Sequence, residues 1–249
     1  MKKLQIIRIP ILPFGMVNCH LLVADGGCVL VDTGLPGSAH KIGAALEAAG
    51  RGFSDVRLIV VTHAHVDHAG AAAELRALTG APILAHAGDL DYYERRKPMT
   101  YCDTGWAGRL FLRTRVPLEV YEAFTPDILL HEGQVLDLAP YGIDGVARHT
   151  PGHTAGSISL QLADGDMMVG DLLASGVLIG GMVRTGHAIR PPFEDDPQQV
   201  GRELETLLKA GGQRFHMGHG GPLDAAEVAR HAAHLATCEV GPLHQPHGS

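Results

Sequence analysis

The run VRLIVVTHAHVDHAG, residues 56–70, constrains this chain more than any other. Its first half is almost continuously apolar, as expected of a strand buried on both faces. Its second half places three histidines and an aspartate within six positions, 63–68. His63 and His65 are two apart, so an extended backbone points both imidazoles the same way. Asp67 and His68 follow where the next helix begins. The segment after them, AGAAA, has almost no side-chain bulk, so a helix there sits close to the sheet and holds the loop rigidly. Imidazole and carboxylate donors suit Zn²⁺, Fe or Mn.

Further donors recur in the same context. HTPGHTAGS (149–157) places His153 in a Pro-Gly turn after a strand. MMVGDLL (167–173) ends a strand at Asp171, and FHMGHGGP (215–222) does the same at His219. Each donor stands where a buried strand opens into a glycine-containing loop, the usual place for ligands on a rigid scaffold. The four donors of 63–68 could be read as one closed structural site. Adjacent residues on a tight turn rarely all face one tetrahedral centre, however, and a division between two neighbouring metals is easier.

Around these donors the chain alternates strand and helix signals, an α/β pattern. Strands are expected at 17–24 and 27–34, joined by a tight Asp25–Gly26–Gly27 turn. A helix is expected at 38–50 with Ser38 as N-cap and Gly50 as stop, another at 69–80, and a strand at 81–86. Residues 88–125 hold most of the aromatics, including Tyr92, Tyr93, Tyr101, Trp106, Phe111 and Tyr121. They read as helices and loop, either a lid over the site or a hairpin burying its own rings. Strands resume after 127. A glycine-rich loop is expected over 174–193, then a helix at 195–211 capped by Asp195 or Asp196, a strand at 214–222 running into a loop, and a closing helix at 224–238. Residues 1–240 are expected as a single domain and 241–249 as a loose tail.

Twenty Lys+Arg against twenty-seven Asp+Glu give a net charge of −7. That balance argues against nucleic acid or an anionic membrane as partner. The basic cluster YYERRKP (92–98) reads as a solvated helix face. No stretch approaches the length needed to span a bilayer. The opening MKKLQIIRIPILPFG is interrupted by Gln5, Arg8, Pro10 and Pro13 and reads as a first strand, not a signal peptide. Four scattered cysteines (Cys19, Cys28, Cys102, Cys238) without a CxxC read as reduced thiols in a cytoplasmic protein, with a Cys19–Cys28 disulfide as the alternative.

Taken in order, HxHxDH at 63–68, His153 in TPGHT, Asp171 after glycine and His219 in GHG resemble the metallo-β-lactamase-fold hydrolases. The resemblance includes VDTG at 31–34 and spans roughly residues 4–235. It implies an αββα four-layer sandwich, two mixed sheets face to face with helices outside and the metals in a cleft at one edge. It further implies that His63, His65 and His153 hold a first metal, that Asp67, His68 and His219 hold a second, and that Asp171 bridges both. The expected cofactors are two Zn²⁺, with Fe or Mn as alternatives. The implied chemistry is attack by a metal-bridging hydroxide on an activated acyl bond (ester, thioester, lactone or β-lactam) of a small-molecule substrate. Asp67 is then also catalytic, orienting the nucleophile or passing its proton to the leaving group.

Asp32 is expected to accept a hydrogen bond from the outer N–H of a ligand histidine, or else to close an Asx turn with Thr33 and Gly34. In the 180–196 segment His187 and Phe193, with Arg184 and Arg190, are expected at the substrate or on an ordinary surface loop. His86 is expected in the core or behind the ligands. Within the family the chain departs from two branches. Its bridging donor is an aspartate, not the cysteine of many zinc β-lactamases. Ser157 stands where glyoxalase II enzymes carry a second histidine, and only thirty residues follow His219. The alternative function is an iron-dependent oxidoreductase, sulfur-dioxygenase-like. A metal-binding protein without catalysis is disfavoured because all seven donors are present. A monomer or homodimer is expected.

Overall fold

The computed structural model describes residues 4–113, 119–177 and 183–244. Strands β1 (Gln5–Leu12), β2 (Val17–Ala24), β3 (Gly27–Val31), β4 (Val56–Val60), β5 (Ile83–His86) and β7 (Ile128–Leu130) form one sheet in that order; β6 (Tyr101–Cys102) lies outside it. Its first three strands are antiparallel and the rest run parallel from β3 onward. The second sheet contains β8 (Val135–Asp137), β9 (Gly145–His149), β10 (Ile158–Leu162) and β11 (Asp166–Met168), then β14 (Arg214–His216) and β15 (Leu223–Asp224). It too is mixed, with β11 and β14 parallel.

Period-2 alternation explains the layering. On β3, Val29 and Val31 point into a core shared with Ile158, Leu160 and Met168 of the second sheet, while Cys28 and Leu30 face the outside helices. On β4, Leu58 and Val60 point inward and Ile59 outward. Helices α1 (Ala39–Ala48) and α3 (Ala72–Thr79) cover the first sheet through Ile42, Leu46 and Leu75. Helices α6 (Pro197–Lys209) and α7 (Ala225–Leu235) cover the second through Val200, Leu204, Leu207, Val228 and Leu235. The result is helix, sheet, sheet, helix: the expected αββα sandwich. Among the described residues no helix is long and apolar enough to cross a membrane.

Several local expectations are corrected. The helix expected over 69–80 starts later, as α3, and a separate short helix α2 (Val66–Ala69) precedes it. They part at Gly70, where a Cβ would stand 2.5 Å from the Gly34 carbonyl oxygen. Ser38 does not cap α1, because its own backbone is already helical (φ −73°, ψ −9°). Asp196 does cap α6, accepting from Gln199 N–H at 2.9 Å. The glycine-rich loop expected over 174–193 contains an antiparallel pair, β12 (Ala174–Val177) and β13 (Val183–Ile189). A register shift at Gly176, φ +77°, breaks the side-chain alternation that would have announced it. The tail is not loose throughout: β16 (Leu243–His244) pairs with β6. Residues 245–249 lie outside the described residues, as do 114–118 and 178–182.

The segment 88–125, expected as helices and loop, also holds a strand, and its rings divide between core and cleft. It contributes α4 (Leu90–Tyr93), β6 and α5 (Trp106–Phe111). Tyr93, Tyr121 and Phe124 enter the outer core, and Tyr101 and Phe111 reach the cleft. All four cysteines are free. Cys28 registers opposite Val23, four residues along β2 from Cys19. That is roughly 13 Å at strand rise, beyond disulfide reach.

Candidate metal centre

The two sheets bring their strand ends to one edge. β3 and β4 run parallel and end side by side at Asp32 and at His63–His65. β11 and β14 likewise end beside one another, before Asp171 and His219. The β9–β10 turn supplies His153. Carboxyl ends of parallel strands are the common location for a site in an α/β sheet.

Three ring nitrogens meet there. His63 Nε2, His65 Nδ1 and His153 Nε2 stand 3.1 Å from one another in every pairing. A neutral imidazole has one N–H, and His63 Nδ1 already lies 3.1 Å from Thr62 Oγ1. A triangle of three nitrogens cannot be satisfied by hydrogen bonds among its own members. It is close to the geometry of a tetrahedral cation, whose nitrogen ligands at about 2.0–2.1 Å lie roughly 3.3 Å apart. Beside it, His68 Nε2 is 3.4 Å from Asp171 Oδ1 and 3.8 Å from Asp67 Oδ2. His219 Nε2 is 3.0 Å from Asp171 Oδ2 and 3.4 Å from Asp67 Oδ2. His68 Nε2 and Asp171 Oδ1, which face the cluster, are buried without a hydrogen-bond partner, an arrangement that a polar interior normally avoids. The residues present therefore fit metal ions. They form the groups His63–His65–His153, His63–His68–Asp171 and Asp67–His68–His219, with the ligand atoms of each group within 4.8 Å.

The outer nitrogens are fixed from behind. His68 Nδ1 donates to Asp32 Oδ2 at 2.8 Å, and the same carboxylate accepts from Thr62 N–H (2.8 Å) and Oγ1 (3.0 Å). Asp32 thus meets the first expectation rather than the Asx turn, and does so with a left-handed backbone, φ +62°. That conformation is costly for a residue with a Cβ and is held here by three hydrogen bonds. His219 Nδ1 contacts the Met16 carbonyl. At Gly218 a Cβ would lie 2.3 Å from the His68 ring and 2.5 Å from Asp171 Oδ1, so only glycine lets this backbone approach.

Charge divides the cluster. Burial and the neighbouring imidazoles hold His63 and His153 well below the usual histidine range, and burial takes His65 down to about 4. Burial also opposes charge on His219 and His68, but carboxylates overcome it. Asp171 and Asp67 push His219 up to about 9, and Asp171, Asp32 and Asp67 hold His68 well above its ordinary value. Asp171, though buried, is held well below the carboxylate range by His219 and His68. One half of the cluster offers neutral lone pairs; the other holds protons that a cation would displace.

Sequence reasoning missed two residues. Asp89 is fully buried and joins the two histidine loops. It accepts from Ala64 N–H (3.0 Å), between His63 and His65, and from Thr154 Oγ1 (2.8 Å) and Gly156 N–H (2.8 Å), beside His153. No spacing rule singles it out. Tyr101 is one aromatic among many in its segment, yet its ring stacks on His65 with centroids 5.3 Å apart. Of the 180–196 residues, Phe193 lines the cleft. His187 does not. Its Nδ1 lies 3.0 Å from Glu227 Oε1 on α7, because β13 turns that side chain toward the closing helix. Arg184 is exposed, and Arg190 is engaged by Glu194 at 2.6 Å. His86 stacks face to face on His149 at 3.6 Å and lies outside the donor cluster.

An αββα sandwich with this donor set at its strand ends defines a class, the metallo-β-lactamase fold. The model of the metallo-beta-lactamase superfamily matches residues 12–219, and the chain belongs to that superfamily. It is 30% identical over 184 residues to the "Probable metallo-hydrolase YqgX" of Bacillus subtilis, covering 72% of this chain and 78% of that one. It is 29% identical over 228 residues to a hydroxyacylglutathione hydrolase of Acidiphilium cryptum, covering 91% and 72% respectively. A crystal structure of a metallo-beta-lactamase family protein from Thermus thermophilus superposes with TM-score 0.65 at 27% identity, over 94% of this chain and 78% of that chain.

Proposed function

We propose that the chain is a dinuclear metal-dependent hydrolase of an activated acyl bond. The observation that carries this reading is the triangle of His63, His65 and His153 nitrogens at 3.1 Å. Those three residues would hold one ion, Asp67, His68 and His219 a second, and Asp171 would face both. Zinc suits the donors best, and iron or manganese is compatible with them. Bound there, divalent ions supply water activated at neutral pH and positive charge for a developing oxyanion.

The chain's own residues do the rest. Asp67 is the most exposed donor, its side chain 23% accessible, and it lines the cleft. In this reading it would take the proton of the attacking water and return it to the leaving group. Asp32 and Met16 keep His68 and His219 turned toward the centre. The hydrolase names of the relatives support this class over an oxidoreductase. Residues 1–240 would act as one catalytic unit, and four free cysteines, three of them buried, are in keeping with a cytoplasmic location.

The test is elemental analysis of protein purified without added metal or affinity tag. About two zinc ions per chain support the reading. About one iron per chain overturns it in favour of the oxidoreductase, and oxygen consumption with persulfide substrates becomes the next assay.

A further inference from the structure

The hydrolase reading leaves the substrate open, and the following rests on that reading. Beyond the donors, the described side chains lining the cleft are Val66, Tyr101, Phe111, Pro191, Pro192 and Phe193. Their rings form a chain that begins on a donor. Tyr101 stacks on His65, Phe193 lies 4.6 Å from Tyr101, and Phe111 lies 5.7 Å from Phe193. Two distant segments build this wall and backbone bonds lock them together. Thr104 N–H donates to the Pro192 carbonyl at 3.0 Å and Glu194 N–H to the Cys102 carbonyl at 2.9 Å, around an antiparallel bridge between Asp103 and Phe193. β16 backs the same strand, with His244 Nε2 at 2.8 Å from Asp103.

Among the described residues, Arg190 and Arg109 stand close in sequence to the wall and face elsewhere. Arg190 is held by the fully buried Glu194. Arg109 extends outward, 59% exposed and 3.8 Å from buried Asp103. Among the described residues no lysine or arginine lines the cleft. An anionic substituent on the wall side would lose hydration without gaining a partner. An alkyl or aryl substituent would gain about fourfold in affinity for each methylene buried.

We infer that the substrate's wall-side group is uncharged and apolar: an alkyl or aryl ester, thioester or lactone. Water adds to the acyl carbon, the bond to the leaving oxygen or sulfur breaks, and the water's proton passes to that atom. The products are a carboxylic acid and an alcohol or thiol, or a single hydroxy acid from a lactone, with no oxidant consumed.

The test uses two hydroxamic acids with one metal-binding head and different tails, hexanohydroxamic acid and glutaric acid monohydroxamate. Binding to the zinc-loaded full chain is measured by calorimetry. The expected result is at least about tenfold tighter binding of the hexanoyl compound. Phe193→Ser and, separately, Phe111→Ser are expected to narrow that ratio to about threefold or less with zinc content unchanged. A chain that takes up no zinc overturns the hydrolase reading and this inference with it. A zinc-loaded chain that binds both compounds equally, or the charged one more tightly, overturns this inference alone.

Discussion

The floor and the wall of the cleft adjoin each other and are built by different rules. The seven donors of the floor sit at strand ends of two sheets, in one turn, or in the first turn of α2. The rings of several are held by a second contact, as His68 is by Asp32 and His63 by Thr62. The wall comes from residues 101–111 and 191–193, far apart in the chain and joined by a few backbone bonds. A metal centre would tolerate displacements of only tenths of an ångström, and these candidate donors stand at the ends of paired strands. An apolar wall needs shape and dryness, which paired loops can provide.

The sharpest way to break this contrast is at the floor. Asp171 is the donor that faces both histidine groups, with His219 Nε2 at 3.0 Å, His68 Nε2 at 3.4 Å and His153 Nε2 at 3.8 Å. Asp171→Ala is expected to lower metal content and reduce kcat/KM by roughly a thousandfold or more, the loss of several kcal/mol of charge stabilisation. Its far-ultraviolet circular dichroism is expected to match wild type, because the three hydrophobic cores are untouched. Full activity in that variant would refute the dinuclear assignment.

The same contrast explains what could be read in the sequence. Floor residues announce themselves because strand ends and turns fix local spacing: His63 and His65 by period two, Asp171 and His219 by the glycine that precedes each. Asp32 was legible for the same reason. The wall was legible by residue at Phe193 and only as an aromatic segment at Tyr101 and Phe111. Tyr101 could not be told apart from the other aromatics of its segment, because its partner strand is the tail, where it pairs with His244 near the far end of the chain. Asp89 escaped because its partners are mostly backbone N–H groups, which leave no trace in residue identity. The β12–β13 pair was hidden by Gly176, which interrupts alternation while permitting the bulge.

Asp32 and Asp89 sharpen the comparison within the floor, since each supports a different half. Asp32→Asn disturbs the carboxylate behind His68, and Asp89→Asn turns an amide N–H₂ toward groups that donate. Each is expected to weaken metal binding by roughly 10–100-fold, measured by competition with a chromophoric chelator. Stepwise affinities should separate them. Asp89→Asn should affect chiefly the ion held by His63, His65 and His153, and Asp32→Asn the ion beside His68. Identical losses in both steps from both variants would mean that the floor behaves as one rigid unit.

His187→Ala gives the smallest expected effect and marks where the wall stops. Its side chain is 35% accessible and pairs with Glu227, 17% accessible, on α7. A pair this exposed contributes about 0–1 kcal/mol, so Tm should fall by no more than about 2–4 °C. Metal content should be unchanged, and kcat/KM toward an apolar acyl ester should stay within about twofold, since a change under about 0.4 kcal/mol lies below any direct contact. A raised KM with unaltered kcat would show that the β12–β13 hairpin reaches the bound substrate, and the wall would then extend beyond Phe193 to include it.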